Sequence, residues 1–220
     1  MISHIKSNLR QLLGETREPF ALVEPNPGGW GAGSDKDGES GLVSFADGET
    51  YASSVEVIEN RYPILVERYT FNTEDGTGHG KFRGGFGIVK DYRILNSSAE
   101  FTTDVNRSTV LPWGVDGGQR GTANYLLVIR DGKQLMRIRK VSSFKLMKGD
   151  VVSIRTGAGG GWGKPTEREP GLVLLDVRNG LISPDDAERV YGVVLDTSRW
   201  KVDSDSTVRL RSALSKKQQA

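Results

Sequence analysis

Tyr125-Leu-Leu-Val-Ile-Arg-Asp-Gly-Lys-Gln-Leu-Met-Arg-Ile-Arg-Lys-Val141 is the stretch that decides the fold class. Tyr125 to Ile129 is a run of apolar residues rich in strand formers. Asp131-Gly132 follows, and Asp-Gly between two such runs signals a tight hairpin, because both turn residues must accept positive φ. Gln134 to Val141 then reads as the returning strand. Working outward, Tyr62–Phe71, Gly87–Leu95 and Glu100–Val105 carry the same signature, and Leu146–Ile154 reads as a turn followed by a strand. From Val55 to about Ile154 the pattern favours strands throughout. The expected fold is mainly β (α+β): a short-stranded β-sandwich or barrel-like layer with glycine-rich loops and one or two terminal helices.

The ends read differently. Ile2, Ile5, Leu9, Leu12 and Leu13 fall at helical spacing, with Gly14 as a stop. Leu172–Val177 is a short apolar stretch. Ser183-Pro-Asp-Asp186 starts a helix: a serine cap, proline at the first helical position and acids in the first turn, with the end expected near Tyr191 and Gly192. Beyond Leu195 the tail turns polar and carries a last frayed helix or none. The chain therefore divides into 1–54, an amino-terminal helix and glycine-rich docking segment; 55–155, a β-rich domain; 156–200, a glycine-rich loop and helix; and 201–220, a polar tail.

Composition excludes several classes. Thirty basic against 28 acidic residues leave a net charge of +2, so there is no electrostatic case for nucleic acid or an anionic membrane. No apolar run approaches the length of a membrane span. The mean hydropathy is negative. With no cysteine, disulfides and thiolate metal sites within the chain are excluded, which fits a cytoplasmic protein.

Glycine numbers 28 of the 220 residues, nearly twice its usual share of about 7%, and it is clustered. Five of the seven residues from Gly157 to Gly163 are glycine. Lys164 follows, but the order does not match a phosphate-binding loop, and Pro165 removes a donor. The better reading is a tight loop packed against another backbone. Residues 24–50 are loop-like, with Gly28-Gly-Trp-Gly-Ala-Gly33 ahead of Asp35 and Asp37; Trp30 either fills a partner's pocket or caps the chain's own core. Pro112-Trp-Gly-Val-Asp-Gly-Gly118 reads as a turn anchored by a buried Trp113. In Glu74-Asp-Gly-Thr-Gly-His-Gly-Lys-Phe-Arg-Gly-Gly-Phe-Gly87, Asp75, His79 and Arg83 stand between glycines. His79 is one of two histidines and is the candidate proton carrier near neutral pH. One histidine and one carboxylate make a thin metal set, and no nucleophile–base set is evident.

These blocks, in this order, resemble the hydantoinase B/oxoprolinase family. The resemblance runs from about Gly28 to Leu195 and also rests on Val55-Glu-Val-Ile-Glu-Asn-Arg-Tyr-Pro63, Lys148-Gly-Asp150 and Asp176–Leu195. It implies an ATP-using assembly that opens cyclic amides, as 5-oxoprolinase and N-methylhydantoinase do, or that carboxylates ketones, as acetone and acetophenone carboxylases do. An actin-like ATPase, the A-type subunit, activates the substrate, and the B-type subunit completes the reaction.

The family's B-type subunits are more than twice this long, and their front half carries a His- and Asp-rich stretch suited to metal. That stretch has no counterpart here, so only the carboxy-terminal part is represented. The resemblance thus implies no cofactor held by this chain alone, with ATP and a divalent metal on partner subunits. The expected partners are a separate front half and the A-type ATPase. A split subunit is favoured over an isolated remnant, and a purely structural assembly subunit is the alternative. Should the chain touch substrate, His79, with Asp75 and Arg83 beside it, is the expected place.

Overall fold

The Asp131-Gly132 turn forms as its residue types require, with φ of 52° and 73°. It joins β6 (Tyr125–Arg130) to β7 (Lys133–Ile138), with Arg130 paired to Lys133. This hairpin belongs to a computed structural model that describes residues 2–6, 20–43 and 52–217. The other long strands are β1 (Ile2–Lys6), β2 (Ala21–Pro25), β3 (Ile64–Phe71), β4 (Ile88–Ile94), β5 (Ser98–Asp104), β8 (Lys140–Met147) and β9 (Val151–Arg155). They make a five-stranded sheet of order β3-β4-β9-β6-β7 and a four-stranded sheet of order β2-β1-β5-β8, with every pairing antiparallel. One apolar core lies between them. Ile64, Tyr92, Leu126, Val128, Val152 and Ile154 come from the larger sheet, and Leu22, Phe101 and Leu146 from the smaller. The sandwich expected from the strand pattern is therefore present.

Three elements differ from the sequence reading. Residues 2–6 are not helical; they form an inner strand, with Ile5 facing Leu22 on one side and Phe101 on the other. A short helix is marginal alone, whereas a strand between two neighbours satisfies its backbone on both edges. Leu9, Leu12, Leu13 and Gly14 lie outside the described residues. The run from Val55 begins with a helix, α1 (Val55–Arg61), instead of a strand. Ser54 caps it by accepting from the Val57 N–H, and only Ile58 is buried. The Val-Glu-Val alternation imitates a strand, but the serine cap and Pro63 just beyond the end are helix boundaries. Finally, the strand returning from the hairpin breaks at Arg139. Its first half stays in the large sheet, and its second half, β8, crosses to the small one beside β5.

The Lys148-Gly-Asp150 turn follows β8. Gly149 has φ 89°, and Asp150 accepts from the Met147 N–H and takes a two-pronged grip from Arg130 at 2.8 and 2.7 Å.

After β9 the chain builds a second, smaller core. It contains α2 (Pro170–Arg178), α3 (Pro184–Arg189), the ribbon β10 (Leu195–Asp196) with β11 (Lys201–Val202), and α4 (Ser204–Lys217). Val173, Val177, Ala187, Tyr191 and Val193 are buried here with Phe86 from the loop before β4. The α3 start is the expected one: Ser183 and Asp186 form a reciprocal capping box behind Pro184. Gly192, at φ 63°, closes that turn. The apolar stretch at 172–177 is the body of α2, and the polar tail does carry a helix, α4. No helix among the described residues is long and apolar enough to cross a membrane.

Candidate functional site

Between the sandwich and the helical layer, the glycine clusters collapse onto one another. Residues 157–163 run through the middle. Gly29 donates to the Gly157 carbonyl at 3.0 Å and Ala32 to that of Gly160 at 2.9 Å. On a second side Gly159 donates to Gly85 and Gly78 donates to Gly159; on a third, Gly161 donates to Gln119 and Val115 to Gly161. The hydrogen bonds radiate in several directions instead of lying in one plane. At most of these positions such crowding leaves no room for a Cβ. A Cβ on Gly159 would stand 1.9 Å from the Trp30 oxygen, one on Gly160 1.9 Å from the Trp113 oxygen, and one on Gly161 2.3 Å from the His79 oxygen. The glycine run is thus the tight packing its composition suggests. Six of its seven N–H groups already donate within the chain, which leaves no phosphate cradle.

An ion-pair clasp locks this bundle to the helical layer. Arg168, 1% exposed, grips both oxygens of Asp37 at 2.7 and 2.8 Å and reaches Asp176 at 2.9 Å. Arg83 donates through Nε to Asp176 at 3.2 Å, and its backbone N–H donates to Asp37 at 2.9 Å. Arg211 of α4 donates to the Arg168 and Tyr191 carbonyls. Burial by itself would raise the Asp37 carboxyl, but the hydrogen bonds and charge of Arg168, with Arg83 behind it, outweigh that and hold it below the ordinary carboxylate range.

His79 sits on the same side. Its Nδ1 is 2.9 Å from the Tyr191 hydroxyl, with the rings edge to face at 5.3 Å. Burial pulls the imidazole below its ordinary pKa; Asp186 and Asp176 oppose this, and Arg168 adds to it. Burial also raises the Tyr191 phenol, so near neutral pH a neutral imidazole faces a neutral phenol.

Asp75 lies elsewhere. It accepts from Tyr125 Oη at 3.0 Å and Asn72 Nδ2 at 2.7 Å, in the turn after β3, and among the described residues it bonds to neither His79 nor Arg83. The fold thus brings together His79 and Arg83 and sets Asp75 apart. Asp37, Arg168, Asp176 and Tyr191 complete the cluster although the sequence reading did not join them. The pairs Asp37–Arg168 and Arg83–Asp176 span long separations that no local pattern marks.

The clasp and His79 make stability sensitive to acid. His79 has a lower pKa folded than its ordinary 6.5, so the unfolded chain binds more protons just below that pH. Its contribution is complete above about pH 6.5 and is lost as pH falls towards the folded pKa. Asp37, also lowered when folded, loses its contribution below about 3.8. The urea midpoint is expected to fall between pH 7.5 and 5.5, and to fall less in His79→Gln; equal slopes in both proteins would exclude His79 as the source.

An open cleft of about 380 Å³ borders the bundle. Gly29, Gly31, Gly160 and Gly161 line it with backbone, and Arg107 and Trp113 flank them. Trp113 is 67% exposed and does not anchor its turn from within, contrary to the sequence reading. Close backbone contact holds that turn instead, since a Cβ on Gly114 would stand 2.0 Å from the Gly118 oxygen. The indole packs under the Arg107 guanidinium, 5.3 Å from the ring centre. Trp30 is 40% exposed, with its Nε1 donating to the Val43 carbonyl. Among the described residues no three His, Cys, Asp or Glu side chains are grouped to hold a metal.

The sequence model of the hydantoinase B/oxoprolinase family matches residues 3–165. The chain belongs to this family. An uncharacterised family relative from Methanocaldococcus jannaschii is 40% identical over 71% of this chain and 28% of its own length. The B-type subunit of a putative D-/L-hydantoinase from a Pseudomonas species is 33% identical over 90% of this chain and 33% of its own. Among solved structures, the ATP-dependent caprolactamase from Pseudomonas jessenii superposes with a TM-score of 0.76 at 26% identity, over 96% of this chain and 37% of that one. Acetone carboxylase superposes at 0.80 over 99% of this chain and 33% of its own, at 19% identity, which shows a shared fold. The chain thus spans about a third of the length of the proteins it matches.

Proposed function

We propose that this chain is the carboxy-terminal part of the B-type unit in an ATP-dependent, multisubunit assembly that opens cyclic amides, and that it is inactive alone. One observation carries the reading: a hydantoinase B-type subunit matches nine-tenths of this chain, yet the chain spans only a third of that subunit. The remaining two-thirds, and an A-type ATPase, belong to the complete machine. ATP is assigned to the partner, because the glycine run spends six of its seven N–H donors on backbone and side-chain acceptors of its own chain. A divalent metal is likewise assigned to the front part of the B-type unit. Among the described residues none are grouped to fit one, and no step in this chain passes through it. A cytoplasmic location agrees with the absence of cysteine.

In this reading the chain supplies one wall of the reaction chamber. His79 is its candidate for holding or passing a proton, since a neutral imidazole can accept one and the Tyr191 hydroxyl orients the ring. Arg83 is held by Asp176 beside it, and Asp75 orients Tyr125. The test uses the assembly purified from its native host through a tag on this chain. Hydrolysis of hydantoins and lactams is expected to require ATP and the co-purifying subunits and to consume no bicarbonate. His79→Ala is expected to lower turnover about 10²-fold with the assembly intact. Bicarbonate consumption with a ketone substrate would shift the reading to a carboxylase. Unchanged turnover in His79→Ala would leave the chain a purely structural role, and turnover by the isolated chain would overturn the subunit reading.

A further inference from the structure

Gly31, like Gly28, breaks the pattern of the glycines packed around it. Glycines 29, 38, 84, 85, 159 and 160 are each required by backbone atoms of this chain within about 2 Å of a would-be Cβ. A Cβ on Gly31 meets only the Gly160 oxygen, at 3.8 Å, and its φ lies outside the left-handed region. Nothing within the described chain demands glycine there. Gly31 is exposed on the wall of the cleft beside Trp113, and its N–H has no acceptor among the described residues. A methyl group at this position would stand at the cleft wall.

The rest of that cleft is built like an interface. Trp113 and Val115 of its lining are 67% and 45% exposed, and Val110, near them in the chain, is 72% exposed. Contiguous apolar exposure of this kind marks a contact surface, and tryptophan and arginine are the types that most often carry contact energy. Arg107 holds φ 56°, a left-handed conformation costly for a residue with a side chain. Asn124 enforces it, donating to the Asn106 and Arg107 carbonyls while its side-chain oxygen accepts from the Gly157 N–H. The strain fixes Arg107 over Trp113 at the cleft rim.

We propose that this cleft seats an extended, small-residue segment from the remainder of the B-type unit, laid along Gly31 as a further strand of the glycine bundle. The proposal rests on the B-type reading above and adds the surface and the kind of segment. The segments already packed on residues 157–163 approach that backbone closely through glycine, at Gly29, Gly78, Gly84, Gly118 and Gly121. About two-thirds of the relatives' length lies outside this chain and must meet it somewhere. An approaching backbone needs a neighbour without a Cβ, which is what Gly31 provides at no cost to its own chain.

The native assembly, isolated through a tag on this chain, provides the test. With the photo-crosslinking residue p-benzoylphenylalanine in place of Trp113, the expected product joins this chain to a second hydantoinase B-type polypeptide at a glycine-rich or otherwise small-residue stretch. Gly31→Val is expected to keep the thermal midpoint of the isolated chain but lower recovery of that polypeptide about tenfold or more; Trp113→Asp, checked in the same way, is expected to do likewise. An assembly recovered intact with both variants, or crosslinks from Lys140 and none from position 113, overturns the surface while leaving the B-type reading in place. A crosslink to a second copy, or a small molecule in the cleft of the native assembly seen by mass spectrometry, overturns the occupant. Recovery of the wild-type chain alone, without any family partner, overturns both.

Discussion

Gly159→Ala is expected to abolish folding of this chain. The added carbon would lie 1.9 Å from the Trp30 oxygen and 2.2 Å from its carbonyl carbon. Both are backbone atoms, so no side chain can rotate away. Relief requires residues 157–163 to retreat, which breaks the Gly159 bond to Gly85 and the Gly78 bond to Gly159 together with the neighbouring pairs. Loss of a buried backbone bond costs about 1–3 kcal/mol where the freed groups stay dry. Several lost together approach the whole stability of a domain, about 5–15 kcal/mol. Gly76→Ala is the informative control. Gly76 has φ 75° but open space around it, so the cost there is confined to backbone conformation, about 1 kcal/mol. Soluble yield and urea unfolding of the two variants, side by side, measure the contrast. A folded Gly159→Ala with a near wild-type midpoint would show that the bundle yields far more easily than its geometry implies.

Lys90→Met carries the second large effect. Lys90 and Glu24 are 2% and 3% exposed and bridge the two sheets across the core, with the ammonium 3.0 and 3.3 Å from the carboxylate oxygens. The Tyr92 hydroxyl also donates to Glu24, and the ammonium lies over the Tyr69 and Tyr92 rings at 4.6 and 5.2 Å. Burial, reinforced by the Glu24 charge, pushes the Tyr92 phenol well up and keeps it a donor. Removing the ammonium leaves a buried carboxylate with one neutral partner, and breaking a buried pair on one side costs about 3–5 kcal/mol. The double replacement Lys90→Met with Glu24→Leu removes both charges and is expected to recover much of that loss. A double-mutant cycle read by urea denaturation checks this. Additive losses would mean that the two groups do not interact across the core.

Much of the sandwich was legible because its signals are local. Asp131-Gly132 needs positive φ at both residues wherever it lies, and the apolar runs that became β4, β6 and β9 bury themselves in any β context. The Ser183 capping box is equally local, since every atom it uses lies within four residues. The helices α1 and α2 were harder to read. Each is short and rests on one cap, and each buries only part of an apolar run that suits a strand as well. Residues 2–6 could not be assigned from periodicity, because their partners in β2 and β5 are about 20 and 100 positions away in the chain.

The candidate site divides in the same way. The glycine clusters, His79, Asp75, Arg83 and the family resemblance are visible in the chain itself, because glycine excess and motif order are properties of one dimension. Which clusters touch is not. Only folding placed His79 against Tyr191 and Arg83 against Asp176, left Asp75 with Tyr125, and turned Trp113 outward under Arg107. The physical reason is range. Backbone conformation and capping are settled over a few residues, whereas ion pairing and the removal of a Cβ to admit another backbone depend on segments that meet only after the chain has closed on itself.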